Sequence, residues 1–235
     1  MIFPVKAPYT VSADITKYSG VIFNTQPNRQ YLLQKEKELR SLDDLCVVSD
    51  EKIASLLGQY CGIEGDFRSA ALSLEEDVAV LHRGDLKAIC FCFPSGFSPG
   101  SKVGLSFFDV HLPVADGETL RRSSIKVSDI ISREGATFRR YVWTITPLSS
   151  LSQHPSYERP KPDRIEDLYF RTETQTTVGL PDQMTLFFVK VNMYPLADVW
   201  SDTEKRKALV ESVNSMSDGV LGYKNLHRIK QILNR

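Results

Sequence analysis

No run of about 18 apolar residues occurs in the chain, so no membrane-crossing helix is expected. The first segment is interrupted by Pro4 and Pro8. It lacks the unbroken apolar core of a secretory leader, and a cytoplasmic location with no membrane partner is expected. Neither sign of charge is in excess, because 29 Lys and Arg balance 29 Asp and Glu. A basic footprint is therefore absent, and no nucleic-acid partner is expected. Cysteine is scarce: Cys46, Cys61, Cys90 and Cys92 are the whole set. None forms CxxC, and no second pair completes a zinc site. Cys90 and Cys92 would share one face of a strand as small buried hydrophobes. HExxH, G-x-S-x-G, the Walker A loop and GxGxxG are all missing. Their absence removes the metalloprotease, α/β-hydrolase, P-loop and dinucleotide readings.

What is present is ordinary for a globular protein: 235 residues, 42% hydrophobic and 25% charged. The patterning predicts one α+β domain over 1–235. N-terminal helices occupy 24–62, a sheet core 72–195 and C-terminal helices 202–233. The first helix is expected over 27–42, capped by Asn24 or Thr25. Ser49-Asp50 opens a second, running through Tyr60 to Gly62. A hairpin is expected around Arg83-Gly84-Asp85, its second strand continuing to Phe93. Short helices follow over SFFDVH and 126–133. Strands are predicted over 137–146, 166–178 and 184–194, with a turn at Leu180-Pro181-Asp182. Segment 147–163 holds four prolines and reads as a long loop. Two terminal helices divide near Asp218-Gly219.

Candidates for chemistry are few. His82 precedes a turn and is expected to be exposed, His154 sits in the proline-rich loop, and His227 lies on a basic terminal helix. His111 alone is set among apolar residues; it is either a satisfied core histidine or a ligand. Asp43-Asp44, Glu75-Glu76-Asp77 and Glu166-Asp167 read as solvated turns or caps. In RTETQT, Arg171, Glu173 and Gln175 share one face of a strand. That face meets either water or an internal cavity, and Arg139 and Arg140 beside Trp143 raise the same question.

The ordered set LEEDVAVL (74–81), CFPSGFSPGSKVG (92–104), VHLPV (110–114), Arg140 with Trp143, and RTETQTTVGLP (171–181) goes further. It resembles the haem-dependent oxidative N-demethylases, whose blocks run QEDLxLL, CFPSGWxxxxKxG, IHxPVP, RxNW and RxERQTLxRLP. The resemblance implies a PAS-like antiparallel sheet with helices packed around a ligand pocket that holds haem b. It implies a monooxygenase that takes a small methylated amine and O2 and releases formaldehyde. Electrons would come from an NADPH-dependent flavin and iron–sulfur reductase partner. Carried over by motif, His111 is the axial iron ligand. Arg140 and Arg171 are cofactor contacts, and Glu173 and Gln175 are catalytic, with Glu173 holding a cationic amine. The other reading is a PAS-like haem or small-molecule binding protein without turnover. Four positions leave the pattern: Phe97 for Trp, Ala115 for Pro, Val142 for Asn and Thr174 for Arg.

Overall fold

The structure, a computed structural model, describes residues 1–235, the side chains of 119–121 excepted. It is α+β, built on a seven-stranded antiparallel sheet. The strands are β1 (Thr16–Lys17), β2 (Cys46–Val48), β3 (Asp77–His82), β4 (Asp85–Cys90), β5 (Thr137–Thr146), β6 (Tyr169–Leu180) and β7 (Met184–Pro195). Their order is β1-β5-β6-β7-β3-β4-β2. Helices α1 (Arg29–Ser41), α2 (Glu51–Ala54), α3 (Leu56–Cys61) and α4 (Phe67–Leu72) precede β3. Between β4 and β5 run α5 (Phe107–Val110) and α6 (Glu118–Ile131). The chain ends with α7 (Leu196–Trp200), α8 (Thr203–Asn214), α9 (Asp218–Tyr223) and α10 (His227–Leu233). Among the described residues no helix is long and apolar enough to cross a membrane.

Two apolar cores hold the elements together. One joins Leu57, Phe67 and Ala71 of the early helices to Val78, Val80, Leu186 and Phe188 of the sheet. The other joins Trp143, Ile145 and Phe170 to Leu209, Val213, Leu226 and Ile229 of the terminal helices. Burial of each such side chain contributes about 1.5–3 kcal/mol, which is why alternation in the strands specifies their faces.

Several boundaries differ from the sequence expectation, for local reasons. The cap of α1 is Asn28, whose side chain accepts from Gln30 N at 2.9 Å. Asn24 is instead drawn to Glu75, which also takes the Asn28 backbone N–H, so 24–28 is pinned outside the helix. The helix predicted from Asp50 to Gly62 is two short ones meeting at Ser55. Strand β4 stops at Cys90 and does not reach Phe93. The N–H groups of Cys92 and Phe93 donate to the Asp77 carboxylate at 2.9 and 2.8 Å, so no neighbouring strand receives them. Strand β2 and helix α4 were not anticipated. Asp218-Gly219 opens α9, capped by Ser217, so the terminal segment after α7 holds three helices and not two.

The acidic run 75–77 is also corrected. Glu75, Glu76 and Asp77 are buried, not solvated. They enter β3 under the helical layer, where Lys190 pairs with Glu75 and buried Lys35 stands 3.9 Å from Asp77. Lys35 also donates to the carbonyls of Ala71, Leu74 and Glu76, so its charge is satisfied without water. His82 is mostly covered, with Nε2 3.2 Å from Asp182 in the turn between β6 and β7. His154 is buried too, held between Ser156 and Asp44.

Candidate functional site

The register of the long strands builds one polar row. Arg140, Val142 and Thr144 of β5 stand opposite Gln175, Glu173 and Arg171 of β6. Gln175 and Thr177 in turn face Val189 and Phe187 of β7. Because side chains alternate, this whole set lies on one sheet face. That face lines a cavity of about 680 Å³, within the range of ligand sites. Apolar residues from β3, β4, the segment just after β4 and α6, among them Ile89, Phe91 and Val127, complete the wall. The Arg171 row therefore faces a cavity and not open solvent.

His111 reaches this cavity from the end of α5. Ser106 caps that helix by accepting from Asp109 N at 3.1 Å. The His111 ring lies against Phe107, with centroids 4.4 Å apart. Its Nδ1 is 2.6 Å from the Phe107 carbonyl oxygen. A carbonyl only accepts, so Nδ1 carries the hydrogen and Nε2 keeps its lone pair. Burial lowers the pKa of His111, the Phe107 bond opposing, so the imidazole is neutral near pH 7. Among the predicted residues, His111, Arg140, Arg171, Glu173 and Gln175 all meet at this one cavity.

Arg171 and Glu173 are committed to each other. Arg171 Nη1 donates to Glu173, Nη2 to the Phe93 carbonyl at 2.7 Å, and Nε to Leu151 O at 3.4 Å. Gln175 donates to the other Glu173 oxygen at 2.6 Å. Burial alone would raise the Glu173 pKa. The Arg171 charge and hydrogen bond, then Gln175, outweigh it and hold the carboxyl below its ordinary value. Both carboxylate oxygens are thus occupied.

Arg140 and Lys224 are different. Arg140 Nε is buried with no hydrogen-bond partner. Lys224 bonds the Trp143 carbonyl at 2.9 Å and stands 5.5 Å from the Tyr9 ring centre. Burial lowers the pKa of both, with Glu173 opposing, and takes Lys224 to about 8. Lys224 was not anticipated. It follows a short helix in the C-terminal segment, and only the fold brings it to β5. Its folded pKa lies below the ordinary lysine value, so the unfolded chain binds more protons between about pH 8 and 10.5 and stability rises with pH there. Lys224→Met is expected to flatten that rise in urea titrations across this window. A loaded anion beside Lys224 is expected to flatten it in the wild type as well.

The family comparison bears on this cavity directly. A family model described as haem-dependent oxidative N-demethylase, alpha subunit-like, matches residues 55–234. The chain belongs to this family. A search of curated proteins returned no match. The match covers the lining of the cavity apart from the N-terminal segment between Pro4 and Ile15, and family membership implies dependence on haem.

The residues present fit that group. A haem needs a neutral nitrogen donor, an apolar slot and cations for two carboxylates. Nε2 of His111 is such a donor, and the Arg140 Nε and Lys224 ammonium lack any carboxylate at bonding distance among the described residues. Of the four departures from the family pattern, Phe97, Ala115 and Val142 line the cavity. Thr174 points to the other face, opposite Lys190, and does not touch it.

Proposed function

We propose that this cavity holds haem b, with His111 as axial ligand through Nε2, and that the protein oxidatively demethylates a small methylated amine. The observation that carries the reading is the His111 Nδ1–H bond to Phe107, which presents the opposite nitrogen unprotonated at the cavity wall. The antiparallel sheet with helices around a pocket supports a PAS-like arrangement. Haem, when bound, supplies the activation of O2, with electrons from an external NADPH-dependent flavin and iron–sulfur reductase. The reaction balances as a methylated amine, O2, two electrons and two protons giving the demethylated amine, formaldehyde and water.

The chain's own residues then divide the work. Arg140 pairs with a propionate, satisfying a donor that is otherwise orphaned. Lys224 is placed to share that anionic end. Each Arg171 nitrogen already donates, to Glu173, Phe93 and Leu151, and its charge is paired with Glu173, so we assign it to holding the wall and not to a propionate. Glu173 and Gln175 set the polarity of the wall facing the substrate, and the apolar residues around them exclude water.

The test is direct. Protein produced with haem supplied should show a Soret band. With a surrogate reductase it should release formaldehyde from one or more of a panel of methylated amines. Absence of any haem band would overturn the reading. Haem retention without formaldehyde would leave the second reading, a binding protein without turnover. One observation favours that alternative: the Glu173 charge is already paired with Arg171, and Gln175 bonds its second oxygen.

A further inference from the structure

We infer that the substrate bears a carboxylate close to its N-methyl nitrogen, as an N-methylated amino acid does, and that Arg159 binds that carboxylate. The inference rests on the haem reading above and names the substrate class for the same cavity.

The charges facing the cavity argue for it. Two carboxylates line it, Asp14 and Glu173. Asp14 pairs with Lys6 at 3.0 Å, and Glu173 is taken by Arg171 and Gln175. Each already has a cationic partner, so neither carries unbalanced negative charge for a cationic amine. Five cations that line it, Lys102, Arg139, Arg140, Arg159 and Lys224, have no acidic partner among the described residues, and Arg139 is bonded to Thr176 and the Val21 carbonyl. A cofactor with two propionates neutralises two of them. The remaining surplus repels a bare alkylammonium and favours a zwitterion, whose carboxylate brings its own negative charge.

Arg159 is the cation best built for that carboxylate. Its sole hydrogen bond among the described residues is a long one, Nη2 to Gln153 O at 3.5 Å, so most of its donors are open. Its position is fixed by structure on both sides. Gly96 N donates to Gln153 O at 3.1 Å and Gln153 N to Pro94 O at 2.9 Å, tying the 147–163 loop to the FPSG turn. A side chain at Gly96 would begin 3.6 Å from Arg159 Nη2, and the positive φ of 79° there favours glycine. The guanidinium therefore lies over bare backbone at the cavity rim. A planar fork suits a carboxylate, which Lys102 with its single ammonium matches less well.

The experiment is calorimetric titration of the haem-supplied protein with N,N-dimethylglycine and with dimethylamine, alongside its absorbance spectrum. N,N-Dimethylglycine is expected to bind about tenfold or more tightly than dimethylamine, as a charge-assisted hydrogen bond implies. Arg159→Gln should erase that preference by weakening N,N-dimethylglycine and not dimethylamine, with the Soret band retained, and Arg159→Lys should restore part of it. Equal binding of the two amines overturns the inference. So does loss of the Soret band in Arg159→Gln, which would make Arg159 a cofactor contact. If the wild type takes up no haem, the cofactor reading fails, yet the same two titrations still decide whether the cavity prefers a carboxylate.

Discussion

Replacing His111 with alanine is expected to abolish the Soret band of the haem-supplied protein while leaving its fold intact. The cost to stability is small, because the ring is half-buried and its one hydrogen bond is worth about 1 kcal/mol net. The cost to haem is large, because no other histidine reaches the cavity. His82 is held by Asp182, His154 by Ser156 and Asp44, and His227 lies 3.6 Å from Asp218 on the terminal segment. Added imidazole should restore a band in the variant by filling the space the ring leaves. The ring must be neutral to bind iron, and burial lowers its pKa, the Phe107 bond opposing. Haem loss on acidification is therefore expected to set in below the ordinary histidine value of about 6.5 and not at it. A normal haem spectrum in His111→Ala would remove this residue from the axial position.

The strands carrying this site were legible because each obeys a local rule. The bounds of β5 agree with the expected 137–146, and the Leu180-Pro181-Asp182 turn sets the hairpin that brings β6 to β7. The shared face of Arg171, Glu173 and Gln175 follows from the period of a strand alone. What that face meets does not. Alternation is the same whether the polar side sees water or a cavity, and α5, α6 and the loops that close the cavity are distant in the chain. Asp77 was misread for a similar reason. A carboxylate that caps the backbone of Cys92 and Phe93 has no signature at its own position. Its burial pushes its pKa up to about 7, the Lys35 charge opposing. Lys224 and Arg159 were missed because nothing near them in sequence marks them. Their meaning comes from the absence of partners, which only the assembled cavity reveals.

Arg171→Ala is expected to be the most destabilising single change in the cavity wall, at about 3–5 kcal/mol. The size follows from what is stranded. Arg171 is 2% exposed, and its removal leaves the buried Glu173 carboxylate with Gln175 and the more distant Arg140 and Lys224 charges. It also frees the Phe93 carbonyl, so the FPSG turn loses an anchor, and the Leu151 carbonyl, so the 147–163 loop loses another. Against a typical total of about 5–15 kcal/mol, such a loss would leave a substantial unfolded fraction. Urea titration of the haem-free protein measures it without interference from cofactor binding. A second variant separates the mechanisms. Arg171→Met with Glu173→Met removes both charges and should recover most of the loss, since no uncompensated ion remains buried. If the double variant is no more stable than Arg171→Ala, the carbonyl anchors and not the ion pair carry the cost. Limited trypsin digestion should then cut first at Arg164, just beyond 147–163, in both variants, because Arg159 and Lys161 each precede a proline that blocks cleavage.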